Sequence, residues 1–276
     1  GDIHGYCDQL VQILKKLDYQ YDGISWGHPD RKVIFVGDYI DRGPKIPETV
    51  NLVRKMVEND QAVAIMGNHE LNAILFDAED PSGGHIRKHS LKNFNQHAET
   101  LLQYNKLDDG QDRYQESIEW FKSLPIYFEN DQLRVVHATW HHDSIQKFKK
   151  FEPRLEKDPN FILHAGDREH ELYDILENLL KGVEVALPNN MSFNDKEDHV
   201  RYEMRIKWWK NPMTTPIEQY GFGANLDELK EQSAHQLLDT KWFYEDKKCV
   251  FCGHYWLSEA LHLQSDYVCC VDYSIG

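Results

Sequence analysis

The chain has 276 residues, room for one large α/β domain or for one domain carrying a sizeable insertion, and its segment pattern favours the second arrangement. Its 31 basic and 46 acidic side chains give a formal charge of -15, which repels polyanions wherever no local cationic patch or metal ion intervenes and so argues against broad nucleic-acid binding. The composition, 41% hydrophobic and 28% charged, is that of an ordinary globular protein, and no apolar run approaches the roughly 20 residues of a spanning helix, which argues against a membrane enzyme.

The sequence opens on GDIHG with no strand before it and closes on VDYSIG, so the native chain is expected to extend at both ends. Asp2 and His4 are two apart. On an extended strand end they project from one face and can grip one cation together. Leu10, Ile13, Leu14 and Leu17 then recur at helical spacing, and RKVIFVGD (31–38) reads as a buried strand. Asp38 ends that strand. A carboxylate can bridge two cations with its two oxygens, so Asp38 takes the bridging position. A second helical stripe, Ile46, Val50, Val53 and Val57, leads to the strand of QAVAIMGNHE (61–70), which ends near Asn68, a neutral carbonyl donor. These βαβ units predict a mostly parallel or mixed sheet with each motif at the carboxyl end of a strand, where loops from neighbouring strands converge.

Residues 77–95 are expected to form a loop beside the site. LPIYFEND and LRVVHATW read as a hairpin around Asn130 and Asp131, with His137 at its end. Residues 141–245 form a long, polar, helix-leaning insertion that includes ELYDILENLLKG (171–182), stopped by Gly182. CVFCGHYW, ALHLQ and YVCCVDY supply a third β region, which with the hairpin forms a second sheet packed on the first, and His254 follows its first strand. The odd set of five cysteines, Cys7, Cys249, Cys252, Cys269 and Cys270, points to a reducing, cytoplasmic setting. The last four could be drawn as a zinc site, but their apolar β-like surroundings favour core thiols.

Each of these polar residues alone is an ordinary turn or core residue. Together, the ordered set GDIHG, GDYIDRG and GNHE followed by two strand-end histidines reads as a two-metal site held by Asp2, His4, Asp38, Asn68, His137 and His254.

At these motifs the sequence resembles the calcineurin-like metallophosphoesterases, and specifically the phosphoprotein-phosphatase branch, most closely over residues 1–70 and through VVHATW and CGHYW thereafter. The resemblance implies a two-sheet β-sandwich flanked by helices, α/β in class. By the same resemblance Asp2, His4 and Asp38 hold the first metal, and Asp38, Asn68, His137 and His254 the second. Two such cations, about 3.5 to 4 Å apart, lower the pKa of a water between them and clamp phosphoryl oxygens for in-line attack. His69 looks like the family's general acid, oriented by Asp41, while Arg42 binds the phosphate with its two-pronged guanidinium. Arg201 and Arg205, in the basic aromatic run HVRYEMRIKWW, are candidates for a second phosphate-binding arginine, although Trp208 and Trp209 beside them fit simple packing equally well. His85, His89, His141 and His142 read as solvated loop histidines. Manganese is the metal named, and iron, zinc or cobalt suit the same mixed donors.

The substrate reading is a phosphomonoester, as in a protein serine/threonine phosphatase. The alternative is a dinucleoside tetraphosphate, for which Tyr202, Trp208, Trp209 and Tyr220 could stack a base. A nucleic-acid-end phosphatase is disfavoured by the charge. A non-catalytic scaffold is opposed by the complete ligand set, because gathering those groups without a metal costs stability.

Overall fold

A computed structural model describes residues 1–151, 159–187, 191–194, 200–222, 233–236, 238, 241–258 and 260–273. The chain begins with helix α1 (Cys7–Lys16) and a small antiparallel pair, β1 (Gln20–Tyr21) and β2 (Trp26–Gly27). Leu10 and Leu14 of α1 are buried, but Ile13 and Leu17 are exposed, so the apolar stripe is narrower than its periodicity suggests. Strand β3 (Val33–Phe35), helix α2 (Ile46–Glu58) and strand β4 (Ala62–Ala64) then make the expected βαβ unit, with β3 and β4 parallel. Ile46, Val50 and Val53 of α2 are buried.

Helix α3 (Asn68–Asp77) starts inside the GNHE motif. The loop expected over residues 77–95 is shorter, because α4 (Leu91–Tyr104) begins where the Ser90 hydroxyl accepts the Asn93 N–H at 3.3 Å. Helix α4 and the following α5 (Gly110–Ser123) have no counterpart among the sequence expectations.

Strands β5 (Tyr127–Glu129) and β6 (Leu133–Val136) form the expected hairpin, whose turn is held by Asn130 Oδ1 accepting the N–H groups of Gln132 and Leu133, both at 2.9 Å. Helices α6 (His142–Phe148), α7 (Pro159–Gly166) and α8 (Glu171–Lys181) follow, and α8 ends at Gly182 with φ +82°, a conformation glycine adopts without strain. Beyond Gly182 the helical expectation fails. The chain instead makes β7 (Glu184–Ala186), β8 (Phe193–Asn194), β9 (Val200–Arg201) and β10 (Glu203–Arg205), paired β7 with β10 and β8 with β9, before a single turn of helix, α9 (Ile217–Tyr220). The physical reason is a separate small core, in which Val183, Met204, Ile206, Ile217 and Tyr220 are buried together. Trp208 and Trp209 are packing residues: both are buried in the main core, and the Trp208 indole N–H donates to the Tyr255 hydroxyl at 2.9 Å.

Strands β11 (Cys249–Cys252) and β12 (Val268–Cys270) complete a four-stranded sheet in the order β12-β11-β6-β5, with β11 parallel to both neighbours. The expected strand ALHLQ does not form. Leu261 and Leu263 are exposed, and the Gln264 N–H turns back onto Val268 O at 3.0 Å. Val36, Ile65 and Val135 are buried between this sheet and the β3–β4 pair, with Phe128, Leu133 and Phe251 against them. Burying each such side chain contributes about 1.5 to 3 kcal/mol, which holds the two sheets together as a sandwich. Cys252 and Cys270 are buried as expected, whereas Cys249 is exposed and Cys269 half-buried, since alternate residues of a strand face opposite ways.

Candidate metal centre

The ends of β3, β4, β6 and β11 converge. Asp38 follows β3, Asn68 opens α3 after β4, His137 follows β6, and His254 follows β11. His4 is tied to the same place by its backbone, because the N–H groups of Ile3 and His4 donate to Asp38 O at 2.9 and 2.8 Å. Four of the residues concerned, His4, Asp38, Asp41 and His254, have positive φ, a strained conformation for residues with a side chain and one that clusters at functional sites.

Asp38 is the hub. Candidate ligand atoms of His4, Asp38 and His69 all lie within 4.8 Å of one another, and so do those of Asp38, His137 and His254. Asp38 Oδ2 is 3.6 Å from His4 Nε2, 3.4 Å from His137 Nε2 and 3.9 Å from His69 Nε2. The rings are aimed from behind: His4 Nδ1–H donates to Ile40 O and His137 Nδ1–H to Val36 O, both at 2.7 Å, so each Nε2 faces the centre. Asn68 Oδ1 lies 3.0 Å from both His137 Nε2 and His254 Nδ1. Asp2 belongs to neither cluster of three. It is tied to the centre by accepting the His254 backbone N–H at 3.1 Å.

The donor set fits divalent cations. His4 Nε2 and His254 Nε2 are buried without a hydrogen-bond partner, an arrangement that costs stability unless something completes it. Burial pushes the Asp2 carboxyl well above its ordinary range, with the Asp38 and Asp272 charges adding to the effect against His137. Asp38 is also buried, but the charges of His137 and His69 outweigh that burial and hold its carboxyl well below the usual range. Burial opposes a proton on His137 as well, yet the Asp38 charge and hydrogen bond raise it to about 10. Burial, then Arg205 and His137, keep His254 well below the ordinary histidine value. The proton held by His137 thus does part of what a cation would do.

Beside the hub, His69 Nδ1–H donates to Asp41 Oδ2 at 2.6 Å, as the sequence reading expected of an acid and its orienting partner. Burial works against a proton on His69, but the Asp38 charge and the Asp41 hydrogen bond raise it to about 9. Arg42 is exposed and lies over the Trp256 ring. Three supports escaped the sequence reading. His97 Nδ1–H donates to Asp41 Oδ1 at 2.6 Å, and the Thr100 hydroxyl donates to the same oxygen at 2.7 Å. Glu70, fully buried, accepts the N–H groups of Gly67, Asp38 and Tyr39 at 3.0, 2.8 and 2.8 Å, locking the two motif loops together. Glu70 stands in the GNHE motif, which was the available signal. Nothing in local spacing marks His97.

A cavity of about 1370 Å³ opens over Asn68 and His254. Its lining carries Arg87, Lys88, Lys92, Arg168, Lys181, Arg201 and Arg205 against Glu177, Glu184 and Glu203. Both candidate arginines of the insertion therefore reach the cavity. Arg205 is paired with Glu184 at 2.9 Å, while its Nε is buried without a partner. His85 and His89 are stacked on each other, with His89 also against Phe76, and His141 lies against Trp242; His89 and His142 are exposed as expected, whereas His85 and His141 are half-buried.

The sequence model of the calcineurin-like phosphoesterases matches residues 1–255. The chain belongs to that family. Among curated relatives, the asymmetrical bis(5'-nucleosyl)-tetraphosphatase PrpE of Halalkalibacterium halodurans is 34% identical over 173 residues, covering 60% of this chain and 63% of the relative. The symmetrical bis(5'-nucleosyl)-tetraphosphatase of a Marinomonas species is 26% identical over 266 residues, 87% of each chain. The chain thus spans less than two thirds of the first relative's length. Among solved structures, a protein serine/threonine phosphatase from Saccharomyces cerevisiae is similar with a TM-score of 0.48 at 16% identity, over 99% of this chain and 65% of that one. No helix among the described residues is long and apolar enough to cross a membrane.

Proposed function

We propose that this chain is a metal-dependent phosphoesterase whose centre of Asp2, His4, Asp38, Asn68, His137 and His254 holds two divalent cations, and whose substrate is a dinucleoside tetraphosphate. The observation that carries the first part is the gathering of three histidines around one buried carboxylate, Asp38, each ring aimed at it. Two cations bound there would supply Lewis-acid activation of water and a clamp on the phosphoryl oxygens. His69, oriented by Asp41 and held protonated, gives its proton to the leaving oxygen. Arg42 and Arg205 approach the transferred phosphoryl group with charge-assisted hydrogen bonds. Glu70 and the bonds from His4 and His137 to backbone carbonyls keep the ligands in place before any cation arrives.

The sequence favoured a phosphomonoester. Two tetraphosphatase relatives and the cationic lining of the cavity move the choice to the alternative, because several cations are more than one transferred phosphoryl group needs. A phosphomonoester remains the second reading, supported by a centre whose chemistry is indifferent to the leaving group. Manganese is the proposed metal, and the absence of a membrane-length apolar helix among the described residues accords with a cytoplasmic enzyme.

The test is to prepare the metal-free protein, add manganese, and follow phosphate release from diadenosine tetraphosphate, a phosphoserine peptide and p-nitrophenyl phosphate. Metal-dependent turnover that is lost in both Asp38→Asn and His69→Asn, with the tetraphosphate preferred, is the expected result. Preference for the peptide would select the phosphomonoester reading. Protein that binds no metal would overturn the proposal.

A further inference from the structure

Arg87 lies in the loop between α3 and α4 and lines two spaces at once: the large cationic cavity, and a small recess that it shares with Asp41, His69 and His97. Its guanidinium is held in place, since Nη1 donates to Asn72 Oδ1 and Nη2 to Gln96 Oε1, both at 2.7 Å. Both acceptors are neutral amides. Among the described residues no carboxylate lies within 4.0 Å ion-pair distance of Arg87, nor of the neighbouring Lys88 and Lys92. Burial lowers the affinity of Arg87 for its proton, a further sign that its charge is partly desolvated. The charges of Asp41 and Glu177 oppose that effect only from beyond ion-pair distance, and a half-buried, oriented cation with no close ion-pair partner costs stability until an anion joins it. Lys88 and Lys92 beside Arg87 are exposed and add two more positive charges to this side of a chain whose formal charge is -15.

The side of the centre on which Arg87 stands decides which anion. Arg205 lines the large cavity with His254 but not the recess, whereas Arg87 lines both and in the recess stands with His69, the residue that faces the departing oxygen in the function proposed above. We infer that Arg87, assisted by Lys88 and Lys92, binds a phosphate of the leaving group, so that the bond broken is a phosphoanhydride rather than the ester of an alcohol. This rests on the assignment of His69 as the acid. In the reaction a water oxygen bonds to the attacked phosphorus as the bond to the bridging oxygen breaks. The electron pair leaves on the departing phosphate, which takes the His69 proton, and the proton lost by water restores His69 through solvent. Arg87 favours this departure because the negative charge grows beside it. A leaving alcohol or phenol develops charge only on the departing oxygen that His69 meets, and has no phosphate oxygens of its own for Arg87 to bind. Arg87 is in this sense a specificity-determining residue.

The test compares manganese-loaded wild type, Arg87→Gln and Arg87→Lys on diadenosine tetraphosphate and p-nitrophenyl phosphate, with thermal melts of each. In Arg87→Gln the ratio of kcat/KM for the tetraphosphate over the nitrophenyl ester is expected to fall at least about tenfold, with partial recovery in Arg87→Lys, as removal of one charge-assisted hydrogen bond implies. A second readout is calorimetric binding of inorganic tripolyphosphate to the metal-free protein, which should weaken by a similar factor in Arg87→Gln. If the ratio and the tripolyphosphate affinity are both unchanged, or both substrates suffer equally in a destabilised variant, the inference is overturned. Failure of the proposed function shows differently: wild type would not hydrolyse the tetraphosphate at all, and tripolyphosphate binding would then judge Arg87 by itself.

Discussion

The Arg42 guanidinium lies 3.8 Å from the centre of the Trp256 ring. Trp256 is held in turn by its backbone N–H donating to Asp272 Oδ2 at 2.9 Å and adopts φ +46°, so the ring is a fixed platform under a mobile type of side chain. Replacing Trp256 by Ala is therefore expected to raise KM for any phosphoester about two- to fivefold, the worth of an exposed cation–π contact, with a smaller change in kcat. Arg42→Ala should lower kcat/KM by about 10- to 100-fold, because a direct charge-assisted bond to phosphate is lost. Steady-state kinetics of the two variants check the order. Equal effects would show that Trp256 does more than position Arg42.

The His69–Asp41 pair has a pH signature in the metal-free protein. An unfolded histidine titrates near 6.5, and in the fold His69 is raised to about 9 by Asp38 and Asp41 against its burial. A raised pKa means that the folded state binds the proton more tightly. The pair's stabilisation is thus complete below about pH 6.5 and is lost as pH rises through about 9. Asp41→Asn should lower the melting temperature clearly at pH 6 and progressively less toward pH 10. Melts of metal-free wild type and variant across that range test it, and a constant difference would refute it.

His97 is expected to matter without touching substrate. It and Thr100 occupy one oxygen of Asp41 and so turn the other toward His69. His97→Ala should reduce kcat by about tenfold, a fraction of the roughly 10² to 10⁴ that general acid catalysis contributes. Metal affinity should stay the same, and calorimetry alongside kinetics separates the two effects.

The first two motifs, GDIHG and GDYIDRG, and GNHE were legible because each packs several chemical residues into a few positions next to a strand or helix start. The short apolar runs of β3, β4, β5 and β6 were legible for the same local reason. His97 and Arg87 were not, because they reach the site from α4 and the loop before it through tertiary packing alone. The strands after Gly182 were hidden too: β7 to β10 are two or three residues long, too short for a period of two to stand out, and they pair only because Met204 and Tyr220 build a core across them. ALHLQ misled for the opposite reason, since its alternation is real but no sheet edge receives it.

Cation binding should release protons. His137 must give up the proton that it holds to about 10. Apparent affinity for manganese should therefore rise between pH 6 and pH 8, by about tenfold per pH unit for each proton displaced. Calorimetry in buffers of different ionisation enthalpy counts those protons directly. Affinity that is flat over this range would mean that His137 is not a ligand.

The sharpest geometric test uses Gly67. Its φ of -98° and ψ of 175° are open to any residue, so alanine there meets no backbone strain. A Cβ at that position would nevertheless stand 2.2 Å from Asp38 Oδ1 and 2.4 Å from Asp38 N. Accepting it means moving both the hub carboxylate and the Asp38 backbone, which is pinned by a Glu70 oxygen that itself lies 2.9 Å from the added carbon. Gly67→Ala should cost about 1 to 3 kcal/mol in stability, as overpacking does, and should lower manganese affinity and turnover by far more than that loss explains. Gly23→Ala is the converse control: its φ of +99° imposes strain, but nothing lies within 4 Å of the added carbon. It should melt lower and keep its metal affinity. If both variants bind manganese as wild type does, Asp38 is not where the cations are held.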